Sequence, residues 1–128
     1  MYINIYNIKF QNSKVMRVIK TKHFPFNGYK AINLFGIIFT KGELSNKELN
    51  HEAIHTEQMK EMLYIFFYIW YGIEYLIIRL FHIKQHDAYK DVSFEEEAYN
   101  NDDNLNYVSE RKHYTWTKYI GINSSKTA

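Results

Sequence analysis

Ser45-Asn46-Lys47-Glu48-Leu49-Asn50-His51-Glu52-Ala53-Ile54-His55 divides the chain into two kinds of sequence. Ser45 followed three residues later by Glu48 has the form of a capping box, with a hydroxyl at N-cap and a carboxylate at N3. A helix is therefore predicted to begin at Asn46. Beyond it no strong breaker except Gly72 appears for more than thirty residues. The expectation is one long helix, or two in series, from about Asn46 to about Phe81.

Upstream the pattern is that of strands. Tyr2–Phe10 alternates apolar and polar residues, Val15–Lys20 is short and β-branched, and Ala31–Thr40 is rich in Ile, Leu and Phe. The stretch from Lys22 to Gly28 holds the only proline and an Asn27-Gly28 turn signal, and Lys41-Gly42-Glu43 ends the third strand. Downstream, His82–Val92 is polar and mixed and reads as a loop. Ser93 starts a further helix with Glu95 and Glu96 in its first turn, where carboxylates suit the helix dipole. That helix is expected to run through Tyr107 toward Tyr119, interrupted around Asn101–Asn104, with a frayed tail from Gly121. Strands first and helices after, with neither repeat nor linker, predict one α+β domain over residues 1–128.

Composition narrows the chemistry. The chain has 128 residues, 18% of them aromatic, and a formal net charge of +2. This suits an aromatic-packed core, and a charge so small and so dispersed gives no argument for nucleic acid. With no cysteine, disulfides and thiolate metal sites are excluded, so any metal must be held by His, Asp or Glu. The N-terminal alternation lacks the continuous apolar run of a signal peptide, and the expected location is the cytoplasm.

His51 and His55 are the informative pair. Four residues apart on a helix, their rings project from nearly one face and can chelate one Zn²⁺. Glu52 lies beside them, able to reach a metal-bound water as general base without being a ligand. Chance alone produces this pattern in roughly two per cent of shuffled chains, so its context inside a capped helix after an apolar strand carries weight. A catalytic zinc takes three protein ligands and keeps one position open. Ser93-Phe94-Glu95-Glu96-Glu97-Ala98-Tyr99 is the best-placed source of the third. Alone, three glutamates at a helix start are a solvated first turn.

His51-Glu52-x-x-His55 followed by Glu95-x-x-Ala98 resembles the gluzincin clan of zinc peptidases, notably its small members and the membrane-bound ones whose second motif is Glu-x-x-Ala-Asp. The resemblance covers two short motifs and the strand–helix–helix order. It implies a zincin-like fold, one Zn²⁺ on His51, His55 and Glu95 (Glu97 if the register shifts), and hydrolysis of bonds in a peptide or protein substrate. In that scheme Glu52 activates the zinc-bound water, and Tyr99, Tyr107, Arg111 or His113 steadies the oxyanion, Tyr99 being placed in the site. One departure stands out: Tyr99 occupies the place of the Asp that usually supports a zinc-binding His, so this support must come from elsewhere. The rival expectation is a non-catalytic zincin-like module whose aromatic surface binds a partner. Glu52 weighs against it, because a structural ion has no use for a base.

Met62–Phe81 is apolar nearly all round and long enough to approach a bilayer's thickness. Three placements are open for it: a buried central helix, a surface for self-association or a partner, and membrane contact. Glu74 and Arg79 weigh against a span, since each costs about 2.5–3.5 kcal/mol near mid-membrane. Membrane association is thus the alternative to a cytoplasmic location. His23 reads as structural or surface. His82 and His86, four apart, lack helix signals, and Asn101-Asp102-Asp103-Asn104 reads as a solvated run.

Overall fold

The computed structural model describes residues 4–10, 14–24, 29–81 and 88–121. The Asn27-Gly28 turn, the His82/His86 pair and the tail from 122 onward lie outside the described residues. The architecture is α+β, a small N-terminal sheet followed by helices, as the sequence predicts.

Strands β1 (Asn4–Phe10) and β2 (Lys14–Lys20) form an antiparallel pair. The third expected strand folds back on itself, giving β3 (Ala31–Leu34) and β4 (Ile37–Thr40). Phe35 and Gly36 make the turn with φ of 55° and 89°. Two successive positive φ values match the twist of a two-residue hairpin, and glycine at the second position lowers its cost. Asn33 Oδ1 accepts from the Gly36 N–H at 2.9 Å and fixes the turn. β4 runs parallel to β2, so the sheet order is β1-β2-β4-β3 and β3 is an edge.

Helix α1 (Asn46–Glu61) starts with the expected capping box, both halves of which are formed. Its apolar residues Leu49 and Ala53 pack on Met16, Val18 and Ile38 of the sheet. Each such buried side chain larger than Ala contributes roughly 1.5–3 kcal/mol. Yet α1 also buries Asn50, Glu52, His55 and Gln58. A polar stripe so placed needs partners, and most of them come from the C-terminal helix described below.

α1 does not run on. After Met62, the consecutive Leu63 and Tyr64 take φ of 52° and 61°, and α2 (Ile65–Phe81) leaves at 108° to α1. Gly72, the one sequence breaker, sits inside α2. The reversal holds because the Tyr64 N–H reaches the Met59 carbonyl at 2.7 Å and the Tyr64 ring packs against the cluster of Met59, Phe67, Ile78, Val92, Phe94 and Trp116. No single described helix is long and apolar enough to cross a membrane, although α1 and α2 together pass the same test as a bent pair.

After a 3₁₀ turn (Ala88–Asp91), α3 spans only Ser93–Asn101, too short to persist alone. Side chains from the other two helices hold both its ends. At the N-terminus, Glu74 of α2 accepts from the Ser93 N–H at 2.9 Å and the Ser93 hydroxyl at 2.6 Å. At the C-terminus, Asn50 of α1 donates to the carbonyls of Asp102 and Asn104, both at 2.9 Å. The helix predicted through Tyr107 stops here. A single turn, α4 (Tyr107–Glu110), and a 3₁₀ turn (Thr115–Tyr119) follow.

Candidate metal centre

α1 and α3 lie against each other so that three ligand atoms meet. His51 Nε2 and His55 Nε2 are 3.1 Å apart, and Glu95 Oε1 lies 3.1 Å from the first and 3.0 Å from the second. A tetrahedral ion with bonds of about 2.0–2.1 Å separates its ligand atoms by about 3.3 Å. The triangle is therefore within a few tenths of an ångström of the face such an ion requires.

The outer ring nitrogens decide which lone pairs point inward. His51 Nδ1 faces Asp102 Oδ2 at 3.1 Å. A carboxylate only accepts, so the proton sits on Nδ1 and Nε2 is free to ligate. His55 Nδ1 faces Gln58 Oε1 at 2.8 Å. Gln58 Nε2 donates to the Phe94 carbonyl and to Glu97 Oε1, both at 3.0 Å. Those two acceptors orient the amide, which makes Oε1 the acceptor for His55 Nδ1–H. Tyr71 of α2 donates to the second oxygen of Glu95 at 2.9 Å. Three ligand atoms thus converge, each on a side chain held from outside by a polar partner, an arrangement that could hold a metal ion.

The electrostatics also favour positive charge between these groups. Burial acts against a charge on His55, yet the Glu95 carboxylate outweighs it and lifts the imidazole to about 9. Burial likewise acts against the charge on Glu95, but the two imidazoles hold its carboxyl well below the usual carboxylate range. Without an ion, a proton takes the cation's place.

Glu52 sits beside the triangle without joining it. It is 9% exposed, and its Oε2 is buried with no hydrogen-bond partner. Burial foremost pushes its pKa up, against the pull of His55 and His51. His51, Glu52, His55 and Glu95 open on a cleft of about 600 Å³, bounded on one side by Ala31, Ile32 and Asn33 of β3 and on another by Tyr68 and Tyr71 of α2.

The chain matches no family model, no curated protein and no solved structure. Likeness to the gluzincins rests on the two motifs alone.

His51, His55 and Glu95 come together as the sequence predicts, and form the one group of three or more such donors among the described residues. Glu97 does not join them: Gln58, Tyr107 and Arg111 all bond its carboxylate. Of the four oxyanion candidates, Tyr99 alone borders the cleft, its ring centroid 4.5 Å from that of His51. Burial, then a hydrogen bond to Tyr89, pushes the Tyr99 phenol far up, so it stays protonated. Tyr107 and Arg111 are turned toward Glu97, with Arg111 also bridging to Glu61. His113 is exposed at the surface, 3.5 Å from Glu61.

Asp102 corrects the reading of 101–104 as a solvated run. Its side chain is 3% exposed and gives His51 the support that Tyr99 cannot. Asp102 follows Glu95 by seven residues, two helical turns, and that spacing was the available signal. Gln58, three after His55, had a similar one. Tyr71 had none, being one aromatic residue in an aromatic run.

Proposed function

We propose that this protein is a zinc-dependent hydrolase of peptide bonds, with His51, His55 and Glu95 as ligands and Glu52 as general base. One observation carries the proposal: three ligand atoms at about 3 Å stand beside a buried carboxylate with one unpartnered oxygen, all lining an open cleft. A structural zinc is closed by a fourth protein ligand and has no use for such a carboxylate. The donor set of two imidazoles and one carboxylate is one that catalytic zinc uses.

A bound Zn²⁺ supplies Lewis acidity, polarising a carbonyl oxygen and acidifying water. Glu52, beside the ligands, would accept a proton from the attacking water and return it to the leaving amine. Tyr99 offers a phenolic proton toward the oxygen on which charge develops. Asp102, Gln58 and Tyr71 keep the three ligands aimed. β3 is an edge strand bordering the cleft, and an extended backbone can pair alongside it where Tyr68 does not hold the Asn33 carbonyl, which favours a peptide substrate.

Elemental analysis of chelator-free protein should find one zinc per chain, falling sharply in Glu95→Ala. Glu52→Gln should keep its zinc and lose about 10²–10⁴-fold in hydrolysis of a mixed fluorogenic peptide pool. A wild type that takes up no zinc on reconstitution, or a Glu52→Gln variant that cuts as fast as wild type, would end the proposal.

A further inference from the structure

α2 has two faces with different fates. Phe67 and Ile78 are buried, and Tyr64, Tyr68, Tyr71, Glu74 and Tyr75 are half-buried against the rest of the domain. The opposite face carries Phe66, Ile69, Ile73, Leu76 and Leu80, each more than half exposed. Their spacing is 3-4-3-4 residues. If Phe66 is position a of a heptad, all five fall on a and d, and Ile65, Trp70 and Ile77 fall on the flanking e and g. The domain-facing residues then all fall on b, c and f. The outward face of α2 is therefore the four-position stripe that one helix presents to another in a coiled coil.

Its area is of the matching size. The eight apolar residues of this stripe, at the fractions observed, leave roughly 900 Å² in water, beyond the patch a typical monomer shows. A standard protein interface takes about 800 Å² from each partner. Nothing lies within 4 Å of where a Cβ on Gly72 would stand, so a second backbone can approach closely beside Ile73.

A bilayer is the other candidate for this face, and the charges favour it less. The only basic residue in α2 is Arg79, and its only acid, Glu74, is turned inward onto Ser93. A helix lying in a membrane surface draws on a row of Lys and Arg along its polar side. At 17 residues, α2 is about 25 Å long, short of the roughly 30 Å of hydrocarbon.

We infer that α2 pairs with α2 of a second copy of this chain, making a two-fold dimer with Ile73 on the symmetry axis. Ile73 is the middle residue of the seam, so it meets its own counterpart whether the helices run parallel or antiparallel. The inference does not depend on the metal chemistry.

Sedimentation of the full zinc-loaded chain at about 100 µM, above the micromolar limit expected for such an area, should give twice 15.5 kDa. Ile73→Glu and Ile73→Lys should each sediment as monomers, and an equimolar mixture of the two should regain the dimer mass. Regained pairing also shows that both variants fold, and unchanged zinc content in each separates this result from the fate of the site. Leu80→Glu, at a still more exposed position, repeats the test at the end of the seam. A monomeric wild type, a dimer that survives both charge substitutions, or a wild-type monomer that floats with phosphatidylcholine vesicles would overturn the inference, the last by assigning the face to lipid.

Discussion

Replacing Asp102 by Ala should weaken zinc binding by about 10–100-fold, the usual cost of losing a partner that orients a ligating histidine. Competition against a chromogenic chelator measures this directly. The helical content should stay, since Asn50 bonds the backbone carbonyl of Asp102 rather than its side chain. Equal affinity in the two proteins would mean that His51 holds its tautomer without help. At this scale His51, Glu52, His55 and Glu95 were legible in the sequence because helical spacing and chemistry coincide. Asp102 was not, because its role depends on where α3 ends, and four polar residues in a row look alike until one is buried. Glu97 was ambiguous for a related reason: three glutamates share a helix start, and only the positions of Gln58 and Arg111 sort them.

The elements depend on one another's side chains. α3 delivers both Glu95 and Asp102, yet its N-terminal amide is capped by Glu74, a residue of the most apolar helix. Glu74→Gln should therefore cost about 1–2 kcal/mol, losing a charge-assisted cap while keeping the shape. That is a drop of several degrees in melting temperature. Zinc affinity should fall with it, because α3 frays at the end bearing Glu95. An unchanged melting curve would remove the cap from the account. Elsewhere, local signals succeeded where chemistry and backbone agree: Ser45 and Glu48 marked the start of α1, and Ser93 that of α3. They failed at Leu63 and Tyr64, where nothing in a Leu-Tyr pair announces two positive φ values. Such strain costs on the order of 1–3 kcal/mol per residue and is offset by the Tyr64 N–H bond to the Met59 carbonyl and by tertiary packing of Tyr64. The hairpin inside Ala31–Thr40 did have a signal, Gly36, which a continuous apolar run concealed.

For the whole molecule, the proposed metal centre ties stability to both metal and pH. The pKa of His55 rises from 6.5 to about 9 in the metal-free fold. Its proton therefore stabilises that fold fully below 6.5, and the contribution is lost as pH climbs through about 9. Zinc competes for the same lone pair, so the gain from adding zinc should grow over the same interval. Melting temperatures with chelator should fall between pH 6.5 and 9, while those with saturating zinc should not. Parallel curves would show that His55 is not where the proton resides. The donors of this centre also follow a fixed order along the chain, with Glu95 44 residues after His51 and Asp102 51 after it. A chain growing from the ribosome exposes its two imidazoles and Glu52 well before either carboxylate has been made. Until then α1 carries two imidazoles against the sheet, without the Glu95 carboxylate and without the Asp102 that faces His51. On the proposed function, synthesis itself acts as the timer: the full donor set exists only once α3 and Asp102 have been made.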